Sequence, residues 1–162
     1  MKIMTTGSRA FCHLDNEKQI QLIKDLKSEL LEYKKQYNDL SVIVGMAEGW
    51  DEEVAKAAIA LNIPFHAYVP NSTYPIYYWR LHSEYHEDRL SQYNEIISKA
   101  ESVLYVCGEQ VYQNGIHSNL VRNNKMVDDC NIAFVYYDNK SVGTKYTLRA
   151  LDKQNKRKVF FT

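Results

Sequence analysis

Asn131–Lys145 reads N-I-A-F-V-Y-Y-D-N-K-S-V-G-T-K. Its first seven residues are rich in β-branched and aromatic side chains, as in a strand buried on both faces. Asp138–Val142 makes a turn, and helical spacing runs from Gly143 to about Gln154. A buried strand feeding a helix is half of a parallel βαβ unit.

The rest of the chain repeats this pattern on both sides. Lys2–Thr6 is a short strand that breaks at Gly7, and Asp15 caps a helix with an apolar stripe at Leu22, Ile23, Leu26, Leu30, Tyr33 and Tyr37. Ser41–Met46 reads as a strand, Asp51 to about Leu61 as a helix, and Phe65–Val69 as a third strand closed by Pro70. Asn71–Tyr78 is read as a loop, Trp79 to about Ala100 as a helix, and Ser102–Cys107 as a fourth strand. Gly108–Gly115 is another loop, His117 to about Asp128 a helix, and Lys158–Phe161 a last strand. This alternation predicts a Rossmann-like α/β fold: a mainly parallel, twisted sheet of five to six strands with helices on both faces. Nothing in the sequence marks a linker, so 1–162 is read as a single nucleotide-binding domain.

Composition narrows the function. Twenty Lys and Arg balance twenty Asp and Glu, which argues against a protein whose main work is neutralising nucleic-acid phosphates. No nucleic-acid partner is expected. Thirteen tyrosines against five phenylalanines and two tryptophans put a polar handle on most aromatic rings. Cys12, Cys107 and Cys130 are odd in number and form no CxxC, as expected of reduced thiols. With no signal-peptide core and no membrane-length apolar run, the expectation is a cytoplasmic protein without cofactor. His82 and His86 lie four apart, but residue 83 is Ser, so HExxH is absent and no metal site is expected.

In open parallel sheets, ligands bind outside the carboxyl ends of the strands. The first such loop holds Gly7, Ser8 and Arg9; glycine permits close backbone approach, and arginine offers a fork for phosphate. The second runs Gly45-Met46-Ala47-Glu48-Gly49-Trp50-Asp51. Its acids would repel a phosphate, so they either meet ribose hydroxyls, move a proton, or only complement the helix dipole. The loop Asp138–Lys145 pairs a helix start at Gly143 and Thr144 with Lys140 and Lys145, the best phosphate cradle in the chain. It lacks both GxxxxGK[ST] and GxGxxG.

The ordered series T-G-S-R at 6–9, V-G-M-A-E-G-W-D at 44–51, R-N-N-K-M-V-D-D at 122–129 and Y-Y-D-N-K-S-V-G-T-K at 136–145 resembles the YpsA-like branch of the SLOG superfamily. That superfamily groups the DNA-processing Smf proteins with the LOG enzymes. The resemblance implies a Rossmann-like sheet and a pocket walled by Gly7, Ser8 and Arg9 on one side and Gly45, Ala47, Gly49 and Asp51 on another. It further implies that Arg122 and Asn123 reach in, with Gly143 and Thr144 on phosphate and Asp138 in the same motif. The chain departs from the LOG pattern P-G-G-x-G-T-x-x-E, whose glutamate position is Thr147 here.

The resulting expectation is a module that binds a nucleotide or an ADP-ribose-type ligand. The alternative is an N-glycosidic-bond hydrolase whose carboxylate is Glu48 or Asp51. The tyrosines at 74–78 either stack on a base or pack in a core or between subunits. The aromatic stretch Tyr74–Trp79 suggests a homodimer or larger assembly, or aromatics that close over the pocket of a monomer.

Overall fold

A computed structural model describes residues 1–162. Six strands form one parallel sheet: β1 (Lys2–Gly7), β2 (Ser41–Val44), β3 (Phe65–Val69), β4 (Ser102–Tyr105), β7 (Ile132–Tyr136) and β8 (Arg157–Phe161), in the order β4-β3-β2-β1-β7-β8. Register runs Ile3 to Val42 on one side of β1 and Ile3 to Ile132 on the other. The helices are α1 (Asn16–Gln36), α2 (Trp50–Ala60), α3 (Leu90–Ile97), α4 (Ser118–Asp129) and α5 (Val142–Lys153). The α/β Rossmann-like reading of the alternation is the observed architecture.

Side-chain alternation along the strands sorts the core into two layers. Ile3, Val42, Val44, Phe65 and Phe134 face one way and pack with α1, α2 and α3 through Leu26, Leu30, Val54, Ala58 and Ile96. Met4, Ile43, Ala133 and Val135 face the other way and meet Met126 and Val127 of α4 and Leu151 of α5. Asp15 caps α1 as its position suggests, its side chain accepting from the Lys18 N–H at 2.8 Å.

Two segments depart from the reading. Trp79–Ala100 is not one helix. A π-type turn at Ile76–Leu81 is followed by an irregular stretch, with His86 at φ 55°, before α3 begins at Leu90. The cause lies outside the segment: Ser83, the Glu84 N–H and Arg89 all reach Glu48, so the chain takes a path that a continuous helix could not. The 108–115 loop holds half of a hairpin, β5 (Tyr112–Gln113) antiparallel to β6 (Ile116–His117). Asn114 and Gly115 turn it with φ 51° and 76°. That is the left-handed geometry of a two-residue hairpin turn, which Asn-Gly adopts readily.

Candidate functional site

The sheet order reverses at β1. From there the chain builds outward through β2, β3 and β4 on one side, and returns through β7 and β8 on the other. The loops leaving β1 and β7 therefore diverge and open a crevice at the carboxyl edge of the sheet, where open α/β sheets bind ligands. A cavity of about 390 Å³ lies there.

Its charged lining is Arg9, Asp51 and Arg122. Arg9 follows Ser8, which caps a 3-10 turn at Arg9–His13. The Arg9 guanidinium lies 4.7 Å from the centre of the Tyr78 ring and touches Glu84 at 3.3 Å. Arg122 rises from α4. Its Nε donates to Asn123 Oδ1 at 2.7 Å, its Nη1 donates to the Gly45 carbonyl, and its charge sits 5.9 Å from the Tyr74 ring centre. Its Nη2 has no hydrogen-bond partner in the protein. Gly45 is what allows this approach, since a Cβ there would stand 2.5 Å from Arg122 Nη1 and 2.8 Å from Asp51 Oδ2.

Asp51 is buried at the cavity wall, accepting from Thr5 Oγ1 at 2.6 Å and from the Ala47 N–H at 3.4 Å. Burial pushes its carboxyl above the usual range, against the opposing pull of Arg122 and the Thr5 hydrogen bond. Across the cavity, Ser141 caps α5 by accepting from the Thr144 N–H at 3.2 Å, and Gly143 and Thr144 line the wall beside it. The third side is polar and aromatic: Tyr74, Tyr78, His117 and Asn119. Asn119 Nδ2 donates to the Tyr78 hydroxyl at 3.2 Å, while its buried Oδ1 has no partner.

Gly7, Arg9, Ala47, Asp51, Arg122, Asn123, Gly143 and Thr144 thus meet around one cavity. The other predicted residues stand behind the wall. Ser8 Oγ donates to Asp138 Oδ2 at 3.0 Å, and Asp138 Oδ1 accepts from the Lys140 and Ser141 N–H groups. Burial pushes the Asp138 carboxyl up, but those donors together outweigh it and hold the group below its ordinary range. It shapes the turn before α5 and does not face the cavity. Gly45 and Gly49 shape the second loop, and Lys145 is exposed outside the lining.

Glu48 requires correction as a catalytic candidate. Its Oε1 accepts from Ser83 Oγ at 2.7 Å and Arg89 Nη1 at 3.2 Å, and its Oε2 from the Glu84 N–H at 2.7 Å. Both oxygens are spent on the 83–89 segment. Thr147, in the LOG glutamate position, donates to the Gly143 carbonyl at 3.0 Å and accepts from Asn123 Nδ2 at 2.9 Å. It fixes Asn123. Tyr74, Tyr78, His117 and Asn119 were not among the site residues expected from sequence, although the strand-end rule pointed to the loop carrying the two tyrosines.

Trp79 and Tyr74 are 0% and 3% exposed, so much of the aromatic stretch proposed as a subunit surface is core. Cys12, Cys107 and Cys130 are all free thiols. No helix is long and apolar enough to cross a membrane, and no cluster of three His, Cys, Asp or Glu is placed to hold a metal ion.

No family model matches the sequence, and no curated protein matches it. Solved structures do match in fold. DNA processing protein A (DprA) from Streptococcus pneumoniae is similar with a TM-score of 0.61 and 16% identity, over 98% of this chain and 49% of that one. DNA processing protein A from Helicobacter pylori, described for its single-stranded DNA binding mode, is similar with a TM-score of 0.62 and 20% identity, over 99% of this chain and 64% of that one. The chain therefore spans about half to two thirds of these neighbours and has the Rossmann-like fold found in them.

These neighbours overturn the expected ligand class. They are DNA-processing proteins, and one is described as binding single-stranded DNA. The expectation of a free nucleotide or ADP-ribose ligand, its hydrolytic alternative, and the exclusion of nucleic acid are corrected accordingly. Zero net charge does not exclude a nucleic-acid partner, because total charge does not report local charge. Glu52, Glu53, Glu32, Asp129 and Asp152 are each paired with a lysine away from the cleft. Arg9 and Arg122 keep donors at the cavity.

Proposed function

We propose that the crevice between the β1 and β7 loops holds a segment of single-stranded DNA. The observation that carries this is the pairing of two arginines with two tyrosine rings around one open cavity. A single strand offers alternating anionic phosphates and flat bases, and such strands are held by cations that track the backbone and aromatic side chains that contact bases. Arg9, Arg122 Nη2 and the start of α5 supply the phosphate side. Tyr78, backed by the buried Tyr74 ring 4.7 Å away, and His117 supply the aromatic side, and Asn119 Oδ1 offers an acceptor to a base N–H. The similarity in fold to a single-stranded-DNA-binding protein supports the reading. Membership of the SLOG superfamily, with its YpsA-like branch, belongs to the same proposal and is supported by the ordered motif series. So does the reading of 1–162 as one domain.

Fluorescence anisotropy of a labelled oligothymidylate tests this. Affinity falls with salt at a log–log slope of about −0.7 per phosphate neutralised. A duplex of equal length competes poorly, and Arg9→Ala weakens binding by about tenfold or more without changing the melting temperature. Absence of binding at low salt, equal competition by duplex, or an unaffected Arg9→Ala variant would each overturn the reading.

A further inference from the structure

The hairpin of β5 and β6 leads straight into α4, and every residue from Glu109 to Ile116 is exposed. Its base is held firmly. The Ser118 N–H donates to the Val111 carbonyl at 2.8 Å, and the Ser72 N–H donates to the Gly108 carbonyl at 2.9 Å. His117 ties the hairpin to α4, since its Nδ1 accepts from the Asn119 N–H at 3.2 Å and caps that helix.

Cross-strand pairing decides which side chains face the cavity. Tyr112 lies opposite His117, and Gln113 lies opposite Ile116. Opposed residues share one face of a ribbon and successive residues alternate between faces. Tyr112 therefore stands on the same face as His117, which belongs to the cavity wall. The two rings meet edge to face, with centres 5.2 Å apart and planes at 82°. Tyr112 remains 62% exposed, so most of its surface is left for a ligand.

We propose that Tyr112 stacks on a base of the bound strand just outside the cavity, so that the hairpin lengthens the binding site. The inference rests on the single-stranded DNA reading above. Two observations favour a base at this place. Asn119 touches both Tyr78 and His117, and His117 touches Tyr112, so the aromatic rings follow in series from the cavity to the hairpin face. Glu109 is the only charged residue between Gly108 and Ile116. The arm thus carries no cation for a phosphate, whereas an aromatic ring accepts the flat face of any base.

Oligothymidylates of about 4 to 16 nucleotides test this in the anisotropy assay. Wild-type affinity rises with length. Tyr112→Ala lowers the affinity of the longest strands about fivefold or more, the loss of one stacked base. A phosphorylated thymidine dinucleotide, short enough to stay in the cavity, competes equally well on both proteins. Tyr112→Phe keeps the ring and binds every length like wild type. Equal affinities of wild type and Tyr112→Ala at every length overturn the inference and leave the cleft reading standing. A loss by the same factor for every ligand, the dinucleotide included, also overturns it, because Tyr112 then only supports His117. So does a loss confined to concentrations at which light scattering shows wild type to self-associate, which assigns the ring to a second copy of the chain. Wild type that binds none of the strands strikes down the cleft reading itself, and this inference with it.

Discussion

Two clusters of buried charge flank the start of α2, and they are built to different ends. On one side, Glu48 and Glu52 meet Arg89, with contacts of 3.2 Å and 2.7 Å and all three side chains at most 9% exposed. Lys56 adds a contact to Glu52 at 2.6 Å. Burial alone would raise the Glu52 carboxyl, but hydrogen bonds from Arg89 and Lys56 outweigh it and hold the group below its ordinary range. On the other side, Asp51 is raised by burial despite Arg122 nearby, and Arg122 keeps Nη2 free of protein partners at an open cavity. A cluster whose carboxylates are all answered by cations fastens the 83–89 segment to α2. A cluster left short of partners at a cavity has capacity for a ligand.

That contrast can be broken most sharply at Arg89. Arg89→Ala strands Glu48 without its cation and leaves Glu52 to Lys56 alone, so urea unfolding should show a loss of about 3–5 kcal/mol. A loss below about 1 kcal/mol would mean that the first cluster does not fasten the fold. Gly45→Ala is next. It pushes a methyl group against Arg122 and Asp51, and an overpacked site of this kind costs about 1–3 kcal/mol. It should also weaken oligothymidylate binding in the anisotropy assay, and retention of full affinity would separate Arg122 from the ligand.

The pH dependence of stability sharpens the comparison further. The Glu52 carboxyl is lower in the folded state, so its contribution is present above the unfolded pKa of about 4.3 and is lost as pH falls through the folded value. The Asp51 carboxyl is higher in the folded state, so wild type loses stability as pH rises above the unfolded value of about 3.9. Melting temperatures between acid and neutral pH should therefore diverge in opposite directions. Glu52→Gln falls further below wild type as pH rises, and Asp51→Asn gains on it. Parallel curves would contradict the assigned shifts. The smallest effect on stability belongs to Arg9→Ala, within about 0.5 kcal/mol because its Glu84 contact is partly exposed.

What the sequence revealed follows the range of the interactions involved. The strand Asn131–Tyr137 and the helix after it were legible because apolar periodicity is local. So was the Asp15 cap. The Asn114-Gly115 turn carried a hairpin signal that went unread, because the strands it joins are only two residues each. Glu48 and Asp51 sit three residues apart around the start of α2, and nothing local distinguishes them. Their roles are set by Arg89, 41 residues from Glu48, and by Arg122, brought to the Gly45 carbonyl from 77 residues away. The break at 82–89 has the same origin, since a local pattern cannot register a distant carboxylate that draws the chain off its helical path.

Photocrosslinking tests the central claim most directly. An oligonucleotide carrying 5-iododeoxyuridine is irradiated on the wild-type protein, and the attached peptides are mapped by mass spectrometry. The account predicts adducts at Tyr78 or His117, suppressed in Arg9→Ala. Adducts confined to α1, the β4 edge or the 83–89 segment, with the cleft residues unmodified, would contradict it.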